Sequence, residues 1–236
     1  MFSGLSGKGI FFGNIKGGVG KSTLCIYIFE MLRKLRPELD MMLVDTDPQA
    51  SSSLMLRNIV SENMLRCMPM GDRYDGAITS MIDGVIKSHL VKDESVALID
   101  TGAGKIGNVW QLALLCNTII VPTSLSYTDI RPTIDFINEV DAFKENYDTK
   151  TPHIVVVPNR SLPQQKDYSL LQQELEDMNL IIAPPVSDFS VVRHSSRHFN
   201  GLVSIEGTRF YEQIETLTNF IISHVLSGEL DNIFAD

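Results

Sequence analysis

Lys8-Gly9-Ile10-Phe11-Phe12-Gly13-Asn14-Ile15-Lys16-Gly17-Gly18-Val19-Gly20-Lys21-Ser22-Thr23 reads as a buried strand, a glycine turn and the start of a helix in immediate succession. The apolar run Lys8–Gly13 is continuous rather than alternating, as expected of a strand covered on both faces. From Ser22 to Leu35 apolar residues recur at helical spacing. Between the two, glycines remove Cβ atoms, so consecutive backbone N–H groups can converge on an anion. The helix beginning near Gly20 adds its unsatisfied amides and the positive end of its dipole. In such a loop Gly17, Gly18, Val19 and Gly20 would wrap a phosphate, with Thr23 just beyond. Lys21 would reach the β- and γ-phosphates of a nucleotide, and the Ser22 hydroxyl would ligate Mg²⁺. The strict pattern G-x-x-x-x-G-K-[ST] fails at its first glycine, where Ile15 stands.

The same unit of apolar run, turn and amphipathic stretch recurs along the chain. Met41–Val44, Val96–Ile99, Thr118–Val121, His153–Val157 and Leu180–Ile182 have strand length. Helical spacing fills Ala77–His89, Val109–Leu115, Asp129–Phe143, Gln165–Met178 and Thr208–Leu226. This alternation predicts a doubly wound α/β fold with a mostly parallel sheet flanked by helices. No Pro/Gly/Ser-rich linker or charge block divides the 236 residues, so a single domain over 1–236 is expected, with a polar tail at 227–236. Asn58–Gly76 is the least patterned stretch and reads as a variable loop.

Composition narrows the function. With 44% hydrophobic and 21% charged residues the chain belongs with ordinary globular domains. It has no run of about 18 uncharged apolar residues and no basic-then-apolar leader, so a cytoplasmic location is expected. Cys25, Cys67 and Cys116 are odd in number, far apart and form no CxxC pair, which argues against disulfides, structural zinc and iron–sulfur ligation. A net charge of −9 gives no global field to attract nucleic acid or anionic lipid, so any such contact needs a local patch.

Two further strand ends carry carboxylates. Val44-Asp45-Thr46-Asp47-Pro48-Gln49-Ala50-Ser51 sets Asp45 and Asp47 at i and i+2, pointing together into the crevice where open α/β sheets bind ligands. The same residues are also common turn formers. Val96–Ile99 leads into Asp100-Thr101-Gly102-Ala103-Gly104, a strand ending in a carboxylate and then glycines. Further along stand Val121-Pro122-Thr123 with Asp129, then Val157-Pro158-Asn159-Arg160, then Pro184-Pro185-Val186-Ser187-Asp188. Arg193, His194, Arg197 and His198 precede Gly201 at spacings that gather positive charge on one side of a helix. That cluster reads either as a non-specific phosphate-backbone contact or as a solvated face.

Taken in order, KGGVGKST, DTDPQAS, IDTGAG, VPT, PNR and the arginine segment resemble the deviant Walker A loop ATPases of the ParA/MinD family, closest to short ParA-type partition and positioning ATPases. The resemblance implies a P-loop NTPase fold, ATP and Mg²⁺ as cofactors, and weak ATP hydrolysis. Lys16 would cross a nucleotide-sandwiched homodimer interface to the partner's phosphates. A second cation beside Lys21 would repel it unless negative charge lies between them, and a triphosphate supplies that charge. By the same resemblance Asp45 and Asp100 would hold Mg²⁺ through water, Asp47 would position or activate the attacking water, Asn159 would recognise the adenine edge and Pro185 would line the purine. Arg193 and Arg197 would touch DNA. Gly102 and Ala103 replace the prolines usual in the second switch, which implies a more flexible segment before binding.

The resemblance further implies non-specific DNA binding by the ATP dimer, partition or positioning of plasmid or chromosomal DNA, and a ParB-like adaptor that stimulates hydrolysis. No amino-terminal DNA-reading domain is expected before Lys8. A non-DNA cargo such as a protein cluster or a conjugation or secretion apparatus stays open as an alternative. A MinD-like membrane cycle is disfavoured by the acidic ending Gly228–Asp236. A metal-cluster carrier would need paired cysteines, and an amide ligase of the superfamily would need a substrate pocket that sequence does not reveal.

Overall fold

Ile10, Phe11 and Phe12 are all fully buried, yet Ile10 and Phe12 belong to one apolar cluster and Phe11 to another. Alternate side chains of a strand point to opposite faces, so this segment lies between two packed layers. It forms β1 (Lys8–Phe12). The computed structural model describes residues 5–70, 76–104, 109–149, 152–161, 168–187 and 199–230. In chain order the other strands are β2 (Asp40–Asp45), β3 (Leu65–Cys67), β4 (Ser95–Asp100), β5 (Thr118–Thr123), β6 (His153–Ser161), β7 (Ile181–Ile182) and β8 (Val186–Ser187). They lie in the order β3-β2-β4-β1-β5-β6-β7, with β8 alongside the far end of β6, and every pairing is parallel.

Helices α1 (Lys21–Leu35), α2 (Ser51–Leu56) and α7 (Arg209–Ile221) cover the face of Ile10 and Phe12. On the face of Phe11 lie α3 (Gly76–Leu90), α4 (Trp110–Ala113), α5 (Tyr127–Asn146) and α6 (Ser169–Leu175). The doubly wound parallel sheet expected from the alternation is therefore present. From β1 the chain runs out to β2 and β3, returns to β4 beside β1, and then crosses to β5 on the other flank. The carboxyl end of β1 thus lies where the winding reverses, the position at which open α/β sheets bind ligands.

The differences from the periodicity reading have local causes. Asn58–Gly76 is not all loop, because Leu65–Cys67 pair with Leu43–Asp45 to make the edge strand β3. Three residues, one of them Arg66, are too few to show a period. Helix α2 follows Ala50 in a left-handed conformation (φ 49°) and begins Ser-Ser-Ser, which carries no helical signal. The expected helix Gln165–Met178 is described as Ser169–Leu175, its beginning lying outside the described residues. The last helix ends at Ile221 and widens into a π turn over Ile222–Leu226. In α4, Trp110 is 2% exposed and stacks on Phe143 of α5 with ring centroids 4.8 Å apart.

Candidate functional site

Strand register brings the predicted carboxylates to the glycine loop. Phe12 at the end of β1 is level with Asp100 of β4, and Asp100 is level with Asp45 of β2. Both carboxylates are fully buried. After Phe12 the chain turns through Asn14, whose side-chain amide donates to Pro122 O and Thr133 Oγ1, each at 2.9 Å. Its Oδ1 accepts the Lys16 N–H at 2.9 Å. These bonds fix where the loop leaves the sheet.

Gly18 (φ 74°) and Gly20 (φ 95°) take left-handed conformations, and α1 begins at Lys21. A Cβ on Gly20 would stand 2.2 Å from Asn159 Nδ2, so both conformation and space demand glycine there. No side chain caps the amino end of α1, which leaves its first N–H groups facing the loop. The Lys21 ammonium is buried and donates to the Lys16 carbonyl 3.3 Å away. Burial lowers its pKa, with the charges of Asp100 and Asp47 acting in the other direction. A buried ammonium with three donors and, among the described residues, one hydrogen-bond acceptor is arranged for an anion.

Lys16 points the other way. Its Nζ lies 3.2 Å from Asp129 Oδ1 in the first turn of α5, and its side chain is 42% exposed. Burial pushes the Asp129 carboxyl up, but the Ser124 hydroxyl and the Lys16 ammonium outweigh it and hold the group below its ordinary value. Sequence reading noted Asp129 without giving it a role.

Around Asp45 and Asp100 the polar atoms are unevenly satisfied. Asp45 accepts the Asp47 N–H at 3.1 Å and the Ser53 N–H at 2.7 Å. Burial nonetheless raises its pKa against those donors. Asp100 Oδ2 accepts the Ser52 hydroxyl, while Oδ1 is buried and has no hydrogen-bond partner among the described residues. Burial pushes Asp100 up to about 7, opposed by the hydroxyls of Ser52 and Ser22. An orphaned buried carboxylate oxygen close to a serine hydroxyl fits a hard, water-bearing cation such as Mg²⁺. No group of three or more His, Cys, Asp or Glu forms a closed metal cage among the described residues, so such a cation would need a ligand's oxygens as well.

The loops that follow β2 and β4 touch. Asp47 Oδ1 accepts the Gln49 N–H at 2.8 Å, an Asx-type turn. A Cβ on Gly102 would come within 3.3 Å of Pro48 Cδ, so the glycine lets the two loops meet closely. Thr101 Oγ1 donates to Phe12 O at 2.7 Å, and Thr46 N donates to Asp100 O at 2.9 Å. Thr101 is therefore anchored, Gly104 N donates to Asn14 O at 3.5 Å, and 105–108 lie outside the described residues.

At the other end of the loop, Asn159 Nδ2 donates to Val19 O at 2.7 Å and the Arg160 guanidinium donates to Gly18 O. Because Val19 offers a carbonyl, the amide must present nitrogen to it, leaving its oxygen on the opposite side. Asn159 is level with Val186 of β8, which brings Pro185 next to it. Ser52 and Thr133 were not singled out from sequence, and Asn14 and Arg160 stood in the quoted motifs without a role of their own, since the partners that fix them are far away in the chain. Arg193, His194, Arg197 and His198 lie outside the described residues. Cys25 and Cys116 are buried and Cys67 is exposed, with no disulfide among them. No described helix is long and apolar enough to cross a membrane.

Known proteins share this fold. A MinC:MinD cell division complex from Aquifex aeolicus contains a chain that superposes with a TM-score of 0.70 at 16% identity, covering 92% of this chain and 96% of that one. The septum site-determining protein MinD from Pyrococcus horikoshii, complexed with Mg-ADP, gives 0.67 at 17% identity, over 91% and 96%. A plasmid partition protein from Borrelia burgdorferi gives 0.62 at 16% identity, over 93% and 100%. At these identities the likeness speaks for the fold. No curated protein matches the sequence. A family model described as the CobQ/CobB/MinD/ParA nucleotide binding domain matches residues 10–198, most of the chain. With its glycine loop, paired strand-end carboxylates and winding reversal all falling inside that span, the chain belongs to the CobQ/CobB/MinD/ParA nucleotide-binding family.

Proposed function

We propose that this chain is a ParA-type ATPase switch, which binds ATP with Mg²⁺, pairs with a second copy across the bound phosphates and is released by slow hydrolysis. The observation that carries the reading is the buried Lys21 ammonium, short of acceptors and framed by two left-handed glycines and an uncapped helix. A polyphosphate supplies what all three lack.

In this reading Lys21 neutralises the β- and γ-phosphates, and the free amides of the loop and of α1 hold their oxygens. Ser22, Asp45 and Asp100 would hold Mg²⁺, which supplies Lewis-acid neutralisation of the phosphate charge. Asp47, held by its turn at the mouth of the site, orients the attacking water. Asn159 spans the phosphate loop and the base: its nitrogen holds Val19, and its oxygen is left to accept from an adenine amino group. Pro185 flanks the same position. Lys16 reaches the partner's phosphates. Its contact with Asp129 is a half-exposed ion pair worth about 0–1 kcal/mol. A triphosphate outcompetes that easily.

Cargo is the open end of this proposal. Non-specific DNA, contacted through Arg193 and Arg197, with a ParB-like adaptor that speeds hydrolysis, makes the switch a partition or positioning device associated with the nucleoid. A net charge of −9 favours the second reading, in which the same switch positions a protein assembly. Gel filtration and DNA retention of the wild type and Asp47→Ala, with and without ATP, test both. ATP is expected to convert Asp47→Ala to a stable dimer, whereas Lys16→Ala should bind nucleotide and remain monomeric. A dimer that ignores DNA at low salt, where phosphate contacts are strongest, overturns the DNA reading. Absence of ATP or ADP binding by calorimetry overturns the switch itself.

A further inference from the structure

The first turn of α2 is held by the same two carboxylates that the metal site uses. Asp45 Oδ2 accepts the Ser53 N–H, the kind of donor that a helix leaves unpaired at its amino end. Asp100 Oδ2 accepts the hydroxyl of Ser52, a residue with no exposed surface lying 48 positions earlier in the chain. Asp100 Oδ1 is the buried oxygen left over. Helix α2 is only six residues long and follows Ala50 at φ 49°, a conformation a non-glycine residue keeps only when its surroundings enforce it. An open pocket of about 330 Å³ lined by Ser53, Leu54, Arg57, Val60, Leu65 and Cys67 borders the helix.

We infer that Ser52 is a positioning residue that couples the placement of α2 to the occupancy of the Asp100 carboxylate. Any group that pairs with Asp100 changes the strength and direction of the Ser52 bond. By linkage, moving Ser52 changes the affinity of Asp100 for that group to the same degree. Asp45 makes a parallel connection by accepting the Ser53 backbone N–H on its carboxylate, a donor that changing a side chain of α2 leaves in place, so Ser52 is the member of α2 that a side-chain substitution can adjust. The inference rests on the nucleotide and Mg²⁺ reading above. It goes beyond that reading in giving the first switch a specific mechanical link to the Walker B carboxylate.

The test is amide hydrogen exchange of residues 51–57 in the intact chain, with ADP plus EDTA and with ADP plus MgCl₂. In the wild type, Mg²⁺ should change exchange over this segment by roughly tenfold or more, the scale of one hydrogen bond to a charged group. In Ser52→Ala that difference should shrink to within about twofold, while ADP affinity in EDTA stays as in the wild type. Ser51→Ala, on the same turn but with no hydrogen bond to Asp100 among the described residues, should keep the wild-type response and so controls for helix propensity. Thermal melting in EDTA checks that each variant is folded. If Ser52→Ala retains the full Mg²⁺ response, or Ser51→Ala loses it equally, the coupling is overturned and the nucleotide reading stands. If the wild type takes up no ADP in calorimetry, both fall.

Discussion

Asp100 concentrates the electrostatic tension of the site, and its titration has a definite sign. Burial raises its folded pKa from an ordinary value of 3.8 to about 7. Between those values the folded chain binds more protons than the unfolded one. In metal-free buffer, stability should therefore fall as pH climbs from about 4 to about 7, by at most about 1.4 kcal/mol per pH unit from this group, and level off above. Asp45, shifted the same way, adds to the slope. Denaturant melts across that range should show the fall in the wild type and a flatter profile in Asp100→Asn. Gly20 allows a sharper test, because alanine there meets both a left-handed φ and the amide of Asn159. Gly20→Ala should cost about 1–3 kcal/mol in denaturant melts and abolish nucleotide uptake. Asp45 and Asp100 were legible because each closes an apolar run at the end of a strand, and Lys21 because it follows a glycine turn at the start of a helix. Asn14 and Ser52 were not, since their roles depend on Thr133 and Asp100, positions that only the folded sheet brings near.

At the level of elements, long apolar runs and long amphipathic helices were readable, and short pieces were not. The strands that flank the site gave themselves away by continuous apolarity, the mark of burial on both faces. β3 and β8 are three and two residues long and exist through pairing with a neighbour rather than through their own composition. Helix α2 begins in serines and was invisible for the same reason: contacts to Asp45 and Asp100 hold it, and propensity does not. The start of α7 is the opposite case, since Thr208 Oγ1 caps it by accepting the Tyr211 N–H at 3.2 Å. Thr208→Ala should lower stability by about 1 kcal/mol in denaturant melts and leave nucleotide affinity unchanged, because the cap lies on a helix that contributes no residue to the phosphate site.

For the molecule as a whole, both apolar layers are built on the same central strands, so the sheet cannot lose one layer and keep the other intact. Unfolding should be a single transition. A nucleotide present at about 100 times its Kd should add about 2.7 kcal/mol and raise the midpoint by roughly 5–10 °C for a chain of this size. The sequence contains one tryptophan, Trp110 of α4, which is packed on Phe143 of α5. The indole is buried, and its N–H has no hydrogen-bond partner among the described residues. The protein thus carries its own optical gauge: emission from a single fluorophore should be blue in the native state and shift to the red on melting. Any smaller colour change when ATP is added, read by stopped-flow, would time the motion of α4 without a dye or label attached.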